Sequence, residues 1–421
     1  MAAMRRLTFL VRCIVLAALG LLPACSLSSA TTPPAASPAS GVARPPSVVT
    51  LTLWHSWSGA QLEALNSVAR SYEQAHPDVR ISLQPQPKAD IIRNYGMSVA
   101  DGSAPQLLLT LGRYIGELAE RQHVAPLNDL LPAETLSDLI PQAAESASAA
   151  GQLYGIPIAF DTQVLFYDRR RVATPPTTLD EAIALNEAQR AEPLETRPWS
   201  LGYHLSLETT LPYLSAFGGV VLDQQQPVFA TQSREATLRW LEWLRSLQVN
   251  ENVIASPDFS AVDAAIQQNR VLSVIDWSHR RANYERLWGA DAVGVAPMPA
   301  VQPDVAPQPL ILPDVICVNT VISPEQRSAA LDFIRYLIAQ PAQETLWSRG
   351  QLLPVHRAAK LAAEAQPFRE IALGSQPLRS EVAATAVWRP LNDVLRSVLF
   401  NTATPAEALD SASAALQKQQ P

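Results

Sequence analysis

Val48-Val-Thr-Leu-Thr-Leu-Trp54 is rich in β-branched residues and alternates in part between apolar and polar side chains. This pattern predicts a first β-strand. Ser58 follows it and can cap a helix. The apolar residues of that helix fall on one face at helical spacing, namely Leu62, Leu65, Val68, Ala69 and Tyr72. A strand followed directly by an amphipathic helix is typical of an α/β fold.

The same alternation continues along the chain. Strands are predicted at 79–83, 106–110 and 155–167, and helices at 89–100, 179–187 and 233–247. Strands that alternate with helices predict a parallel α/β sheet. Because ligands of such sheets bind at the carboxyl ends of the strands, the segment Trp54 to Ser58, Arg113 and the residues after Ile158 are the first candidates for a site.

The first 24 residues have the three parts of an export signal. Arg5, Arg6 and Arg12 are cationic, an apolar run follows, and Leu22-Pro-Ala-Cys25 closes the segment. The run is shorter than the roughly 20 apolar residues that a membrane-spanning helix needs. This arrangement resembles a bacterial lipoprotein signal, in which residues 1–24 are removed and Cys25 becomes the lipidated first residue.

Residues 25–47 are rich in Ser, Ala, Thr and Pro, without periodicity. We interpret them as a tether between the lipid and the folded part. The remaining length exceeds the roughly 250 to 300 residues that a single core usually reaches. We therefore expect two lobes.

Charge and motifs exclude several classes of function. The net charge of −7 and the lack of a basic stripe argue against nucleic-acid binding. Only Cys317 remains in the folded part, so no disulfide framework is expected. The sequence contains no phosphate-binding glycine loop, no nucleophile elbow and no Cys-x-x-Cys pair. The six histidines lack the spacing of a metal site. We expect no enzyme activity, no cofactor and no metal.

Nine tryptophans are the most suggestive side chains. A flat indole suits the C–H face of a sugar ring, and rigid aromatic groups commonly line concave sites. Four tryptophans near predicted strand ends or loops are candidates: Trp54, Trp57, Trp277 and Trp388. Burial in a core is the alternative for each of them, and it is the preferred interpretation for Trp240 and Trp243.

Several segments, in order, resemble the extracellular solute-binding proteins of sugar importers, the maltose-binding type. They are Leu51-Thr-Leu-Trp-His-Ser-Trp-Ser-Gly59 with His76-Pro-Asp78, Gly102-Ser-Ala-Pro-Gln106, Gly151-Gln-Leu-Tyr-Gly-Ile-Pro157 with Val164-Leu-Phe-Tyr-Asp168, Pro175-Pro-Thr-Thr-Leu-Asp-Glu181, Gly294-Val-Ala-Pro-Met-Pro299, Gln351-Leu-Leu-Pro-Val355 and Pro405-Ala-Glu-Ala-Leu409. Each is weak alone, but their order and spacing span nearly the whole mature chain.

The resemblance implies a periplasmic-binding-protein type II fold, with two α/β lobes joined by a hinge and a ligand cleft between them. We expect an N-terminal lobe of 48–158 with 282–322, and a C-terminal lobe of 159–281 with 323–421. It further implies delivery of the ligand to the permease subunits of an ABC importer. The protein would act as a monomer, anchored through Cys25 on the extracytoplasmic side of the cell membrane.

Site residues are implied by the resemblance where the match is local. Asp161, in Ile156-Pro-Ile-Ala-Phe-Asp161, lies where the family has a ligand-contacting Glu, and Arg113 and Trp277 fall at a ligand-binding Arg and a sugar-stacking Trp. The alternatives are a hinge turn for Asp161 and a surface position for Arg113. Trp388 lies in a similar place before a late helix at 391–400.

Further candidates follow from position. Ser56, Trp57 and Ser58 come after the first strand, and His55 could bond a hydroxyl or a backbone group. The family's Gly-Gly stretch is altered to Leu312-Pro-Asp-Val-Ile316, and the expected aromatic cluster is replaced by Leu207-Glu-Thr-Thr-Leu-Pro-Tyr213. Tyr213, Phe217 and Gly218 remain candidate contributors.

These observations lead to one hypothesis with two alternatives. The chain is expected to bind a neutral sugar or oligosaccharide for import. An anionic solute such as glycerol phosphate is the first alternative, although Arg113 is the evident cation of the candidate cleft. A glycan-active enzyme is the second, and two carboxylates about 5 to 10 Å apart across the cleft would favour it.

Overall fold

A computed structural model describes residues 48–193, 195–380 and 385–418. The predicted signal, the tether and the lipidation site Cys25 lie outside the described residues. They stay predictions.

Fourteen strands are present in the described part of the chain. They are β1 Val49–His55, β2 Val79–Pro85, β3 Leu107–Leu111, β4 Ser148–Ala149, β5 Gln152–Leu153, β6 Ile156–Asp168, β7 Trp199–His204, β8 Leu222–Asp223, β9 Gln226–Pro227, β10 Val253–Ser256, β11 Val271–Trp277, β12 Val293–Ala296, β13 Leu310–Val318 and β14 Gln376–Pro377.

The same residues also form fifteen α-helices. They are α1 Gly59–Ala75, α2 Ile91–Asp101, α3 Ile115–Glu120, α4 Ala133–Ser137, α5 Pro141–Ser146, α6 Leu179–Ile183, α7 Leu207–Ala216, α8 Arg234–Gln248, α9 Phe259–Gln267, α10 Arg281–Trp288, α11 Pro324–Ile338, α12 Gln340–Gly350, α13 Gln366–Leu373, α14 Thr385–Leu399 and α15 Pro405–Gln417.

The predicted first unit is confirmed. Leu51 and Leu53 of β1 are fully buried, and α1 buries the predicted face except Leu62, which is half-buried. Ser58 is the N-cap residue of α1, although its side chain makes no capping bond. The α/β fold class is thereby confirmed.

The main sheet has the order β10-β7-β11-β6-β13-β3-β1-β2, with β12 beside β6 and β14 beside β13. The pairs β1–β2, β1–β3, β7–β10 and β7–β11 are parallel, as the alternation of strands and helices predicts. In contrast, β6 and β13 are antiparallel to each other. β6 is also antiparallel to β11 and β12, and β13 is antiparallel to β3 but parallel to β14. The sheet is therefore mixed.

Two long strands join the halves of the molecule. Residues 156–162 of β6 pair with β13, whereas residues 163–168 pair with β11 and β12. We use "first lobe" for β1–β3 with α1, α11 and α12, and "second lobe" for β7 and β10–β12 with α7–α10, α14 and α15. Separate core clusters surround β1 and β7. The strands β6 and β13 are thus the hinge elements of the fold.

We propose two changes to the lobe boundaries predicted from the sequence, based on the packing of the segments concerned. Residues 282–296, assigned to the N-terminal lobe, belong to the second lobe because β12 pairs with residues 165–168 and α10 packs on β6 and β12. Residues 324–350, assigned to the C-terminal lobe, belong to the first because α11 packs on β1 and α12 on α1. We propose the lobe division that these packings give.

No helix among the described residues is long and apolar enough to cross a bilayer. The same residues contain no group of three or more His, Cys, Asp or Glu side chains placed to hold a metal ion. Cys317 is a buried free thiol in β13.

Candidate functional site

A cleft of about 580 Å³ lies between the lobes, where β1 and β3 end and the hinge strands pass beneath. Residues from both lobes and from the hinge line it. They include Ser56, Trp57, Gln61, Lys88, Thr110, Arg113 and Tyr114 of the first lobe, Glu208, Trp277, Ser278 and His279 of the second, and Phe160, Asp161, Leu312 and Asp314 of the hinge strands. The position at strand carboxyl ends is the one that the α/β pattern predicts.

Two indoles line this cleft from opposite lobes. Trp57 follows β1 and Trp277 ends β11. Trp57 is 6% exposed and its Nε1 donates to Oδ1 of Asp314 at 3.3 Å, so the ring is held in place. Trp277 is half-buried. The cleft is therefore lined by two indoles, of which Trp277 exposes the larger surface to a flat apolar face of a ligand.

Asp161 lies on β6, and donors of the protein occupy both of its carboxyl oxygens. Oδ1 accepts bonds from the backbone N–H groups of Thr162 and His279, each at 3.1 Å, and from the Ser278 hydroxyl. Oδ2 pairs with Nδ1 of His279. Burial opposes ionisation, but His279 and these donors lower the pKa of Asp161 overall. The charge of Asp161 in turn raises the pKa of His279. Asp161 therefore fixes the turn at 278–280.

A buried network supports the same turn from behind. Asp276 is 4% exposed and accepts bonds from the Trp277 backbone N–H at 2.8 Å and from the Tyr284 hydroxyl at 2.7 Å. Arg280 forms ion pairs with Asp276 and Asp263. Because both ends of the turn are bonded to buried groups, Trp277 and His279 are held in fixed directions.

Arg113 and Glu208 form an ion pair that connects the lobes. Arg113 lies in the 3₁₀ turn directly after β3, and Glu208 lies in the first turn of α7. The guanidinium also donates to the Tyr114 hydroxyl at 2.7 Å and lies 4.8 Å from the centre of the Tyr114 ring. Arg113 is thus neutralised by a partner across the cleft.

Asp314 is the acidic residue of β13, whose other residues from Leu310 to Val318 are apolar and buried. Burial raises the pKa of Asp314 to about 7, and the bond from Trp57 opposes this shift. Asp161 is diagonal to Asp314 in the β6–β13 register, where Leu312 is its direct partner. The cleft floor thus carries two neighbouring carboxyl groups.

A second cavity of about 950 Å³ continues the groove beyond Arg113 and Tyr114, which line both spaces. Trp388 and Tyr154 line it. The structure therefore places Trp388 in the neighbouring cavity and not in the cleft with Trp57 and Trp277.

Besides Trp388, six of the predicted site residues lie outside the cleft. Trp54 points to the helix side of β1, where it packs on Tyr95 and donates to Gln84 at 3.0 Å. His55 is fully buried, and its burial lowers its pKa. Ser58 is exposed at the start of α1. Side chains alternate between the two faces of a strand, so proximity in sequence did not ensure proximity to the cleft.

The other three predicted residues outside the cleft lie within α7 or at its end. Tyr213 is fully buried in the second-lobe core, and its hydroxyl donates to the carbonyl of Pro299 at 3.0 Å. Phe217 packs on Trp243 at the end of the helix. Gly218 follows with a φ of 78°, which favours glycine. All three serve helix packing or termination.

Sequence reasoning did not select Glu208, His279, Lys88 or Asp314, although all line the cleft. A signal existed for Asp314, because an acid within an apolar strand is unusual. The altered segment around Glu208 was another signal. His279 carries no local signal, since its partner Asp161 is 118 residues away in sequence.

Comparisons with known proteins agree with this geometry. The family model described as bacterial extracellular solute-binding protein matches residues 67–369. The maltotriose-binding protein of Pyrococcus abyssi is 25% identical over 175 residues, which cover 42% of this chain and 38% of that protein. The chain thus matches about two fifths of the length of this relative.

Solved structures are similar over nearly their whole length. The GacH receptor of Streptomyces glaucescens, solved unliganded and with acarbose, has a TM-score of 0.74 and 21% identity, covering 88% of this chain and 97% of the receptor. The maltose/maltodextrin-binding domain from Bdellovibrio bacteriovorus, bound to maltotriose, has a TM-score of 0.73 and 20% identity, covering 88% and 99%. At these identities the likeness shows the fold, the two-lobe type II arrangement.

Proposed function

The chain belongs to the family of bacterial extracellular solute-binding proteins, and we propose that it captures a sugar or oligosaccharide by closing its two lobes around it. The observation that carries this proposal is the interlobe cleft with Trp57 and Trp277 beside fixed polar groups. An aromatic surface with a few oriented hydrogen-bonding groups is the usual composition of a site for a polar, uncharged ring.

Polar groups of the cleft support a hydroxyl-rich ligand. Ser56, Gln61 and Thr110 line it with hydroxyl and amide groups that can both donate and accept hydrogen bonds. Sugar hydroxyl groups have the same dual capacity. The names of the relatives agree with this class of ligand, since maltotriose and acarbose are oligosaccharides or their analogues.

The charge of the cleft does not favour an anionic solute such as glycerol phosphate. Arg113 is paired with Glu208 and His279 with Asp161, and Asp314 adds a further acidic group. A phosphate would have to displace carboxylates from both cations. Lys88 is an exposed cation at the rim, where water screens its charge.

Glycan hydrolysis is the remaining alternative, because Asp161 and Asp314 are two carboxyl groups with pKa values shifted in opposite directions. However, the protein's own donors occupy both oxygens of Asp161, so it is not free to attack a sugar or to activate water. The two groups also share the cleft floor and do not flank a bond from opposite sides. The arrangement supports binding more than catalysis.

The cellular context is proposed from the N-terminal sequence and the family. Lipid on Cys25 would hold the protein at the extracytoplasmic face of the membrane, with residues 26–47 as a tether. The closed, loaded protein would deliver its ligand to the permease subunits of an ABC importer, and it would act as a monomer.

A thermal-denaturation panel tests the proposed ligand class. The purified protein is heated with maltose, maltotriose, longer and differently linked oligosaccharides, and glycerol phosphate. A ligand at a hundred times its Kd stabilises by about 2.7 kcal/mol, so we expect a saturable rise in Tm with one class of saccharide. A rise with glycerol phosphate alone would contradict the proposal.

A further inference from the structure

We propose that Asp314 selects saccharides that carry a protonated amine, with its carboxylate as the partner of the ammonium group. This inference rests on the proposed function, because it concerns the ligand of the same cleft. It specifies a class within the sugars, namely amino-sugars and oligosaccharides with a basic nitrogen.

The first argument is that Asp314 lacks an ionic partner. One oxygen accepts the Trp57 Nε1–H at 3.3 Å, and the other accepts no hydrogen bond from the described residues. Within 48–193, 195–380 and 385–418, Asp314 forms no ion pair. Acidic side chains at partly buried positions are usually paired, because water no longer compensates their charge. Asp314 lines the cleft, so a ligand can reach its second oxygen.

The second argument is the charge balance around Asp314. Asp161 is its diagonal neighbour across β6 and β13, at a spacing of about 7–8 Å in such pairs, and it is neutralised by His279. Arg113 is neutralised by Glu208. Lys88 is the remaining cation of the cleft lining, and its side chain is exposed at the rim. Lys88 and His279 lower the pKa of Asp314 from a distance, but no cation of the described residues forms an ion pair with it.

The third argument is that aromatic rings accompany the carboxylate. Trp57 is hydrogen-bonded to Asp314, and Trp277 faces the same space. A carboxylate near indole rings is a favourable environment for an organic cation, through the ion pair and, where the cation lies over a ring face, cation–π attraction. The raised pKa of Asp314 fits this assignment, since an ammonium partner would offset the cost of ionising the buried group.

Asp314 has a second chemical option. As a neutral acid it could donate a hydrogen bond to a hydroxyl of an uncharged sugar. The two options differ in the charge that they require at position 314. An ammonium ligand requires a carboxylate, whereas a ligand hydroxyl can accept a hydrogen bond from any uncharged donor, including an amide. An Asp314→Asn variant therefore separates them.

The test uses calorimetric titration with two matched pairs of probes at neutral pH. The first pair is the β-1,4-linked glucosamine trisaccharide and its N-acetylated counterpart, which differ in the amine charge. The second is acarbose, with an amine in one glycosidic bridge, and maltotetraose. We expect the amine-bearing member of at least one pair to bind tenfold or more tightly than its neutral counterpart.

Variants assign the preference to Asp314. Asp314→Asn keeps the size and can still accept the Trp57 bond, and we expect it to remove the tenfold preference while changing the neutral affinity by less than threefold. Asp314→Glu retains the charge and should keep the direction of the preference. The control Asp129→Asn removes an exposed carboxylate outside the cleft lining, and it should leave the amine preference unchanged. The melting temperature of each variant confirms folding.

Four outcomes are informative. A preference that disappears in Asp314→Asn supports the inference. Neutral saccharides that bind as tightly as their amine counterparts overturn it and leave the sugar-binding proposal standing. Unchanged affinities of both members of a pair in Asp314→Asn also overturn it, and they indicate the neutral-acid option, because the amide still donates a hydrogen bond. Absence of binding by every saccharide overturns both proposals.

Discussion

The contacts of Asp161 favour the second of the two roles that its sequence context suggests. The resemblance makes it a ligand contact, but Thr162, Ser278 and His279 already use its oxygens. The alternative role of Asp161, in a turn at the hinge, agrees better with these contacts. We therefore expect Asp161 to influence the ligand by fixing the turn that carries Trp277 and His279.

This role predicts a pH-dependent coupling between Asp161 and His279. The charge of Asp161 raises the pKa of His279 above 6.5, so the stabilisation from the pair is complete below pH 6.5 and is lost as the pH rises through the raised pKa. On the acid side, the lowered pKa of Asp161 means that the stabilisation is present above pH 3.8 and is lost as the pH falls through that lowered value.

Asp161→Asn is expected to return the pKa of His279 toward 6.5, as measured by NMR titration of the imidazole. The signals of the other five histidines are the internal control. The difference in unfolding free energy between wild type and variant should shrink as the pH rises above the raised pKa. An unchanged His279 titration would mean that the pair does not form in solution.

Local sequence identified the cleft residues that lie in a strand or shortly after one, namely Ser56, Trp57, Arg113, Asp161 and Trp277. It failed where the deciding factor was the direction of a side chain, as for Trp54 and His55 on β1. It also failed for Glu208 and His279, whose partners come from distant parts of the chain. An ion pair between residues 95 or 118 positions apart cannot be recognised from a single sequence.

At the scale of elements, the 3₁₀ turn after β3 and the first turn of α7 are joined by Arg113 and Glu208. Their side chains are 29% and 27% exposed, so solvent weakens the pair. A double-mutant cycle with Arg113→Gln and Glu208→Gln measures the link. We expect a coupling of about 0.5–1 kcal/mol in unfolding free energy, decreasing with added salt.

A coupling of zero at low salt would contradict this contact between the elements. The control cycle pairs Arg93→Gln with Asp90→Asn, an i,i+3 pair that is largely exposed and lies within the first lobe. It should give a smaller value, because two exposed side chains gain little from one another.

The order and type of the elements were predictable, because hydrophobic periodicity is a local property. The predicted strands at 79–83, 106–110 and 155–167 correspond to β2, β3 and β6, and the helix at 233–247 to α8. Trp240 is fully buried in α8, as expected for a core residue. The assignment of β12, α11 and α12 to one lobe or the other was not predictable, because it depends on which strand or helix each of them contacts.

At the scale of the whole molecule, two hinge strands carry both lobes and form the floor of the cleft. A ligand that contacts Trp57 on one lobe and Trp277 on the other would favour the arrangement that brings both indoles to it, which is the lobe closure proposed above. Binding energy and closure are then coupled through the same residues. The central claim is that a saccharide binds between these two indoles.

The most direct measurement is calorimetric titration of wild type, Trp277→Ala and Trp54→Ala with the saccharide that the thermal panel selects. Both tryptophans are half-buried, but only Trp277 lines the cleft. We predict that Trp277→Ala weakens binding at least tenfold, which corresponds to about 1.4 kcal/mol, and that Trp54→Ala changes it by less than threefold. Equal affinities of the two variants would contradict a binding site between the lobes.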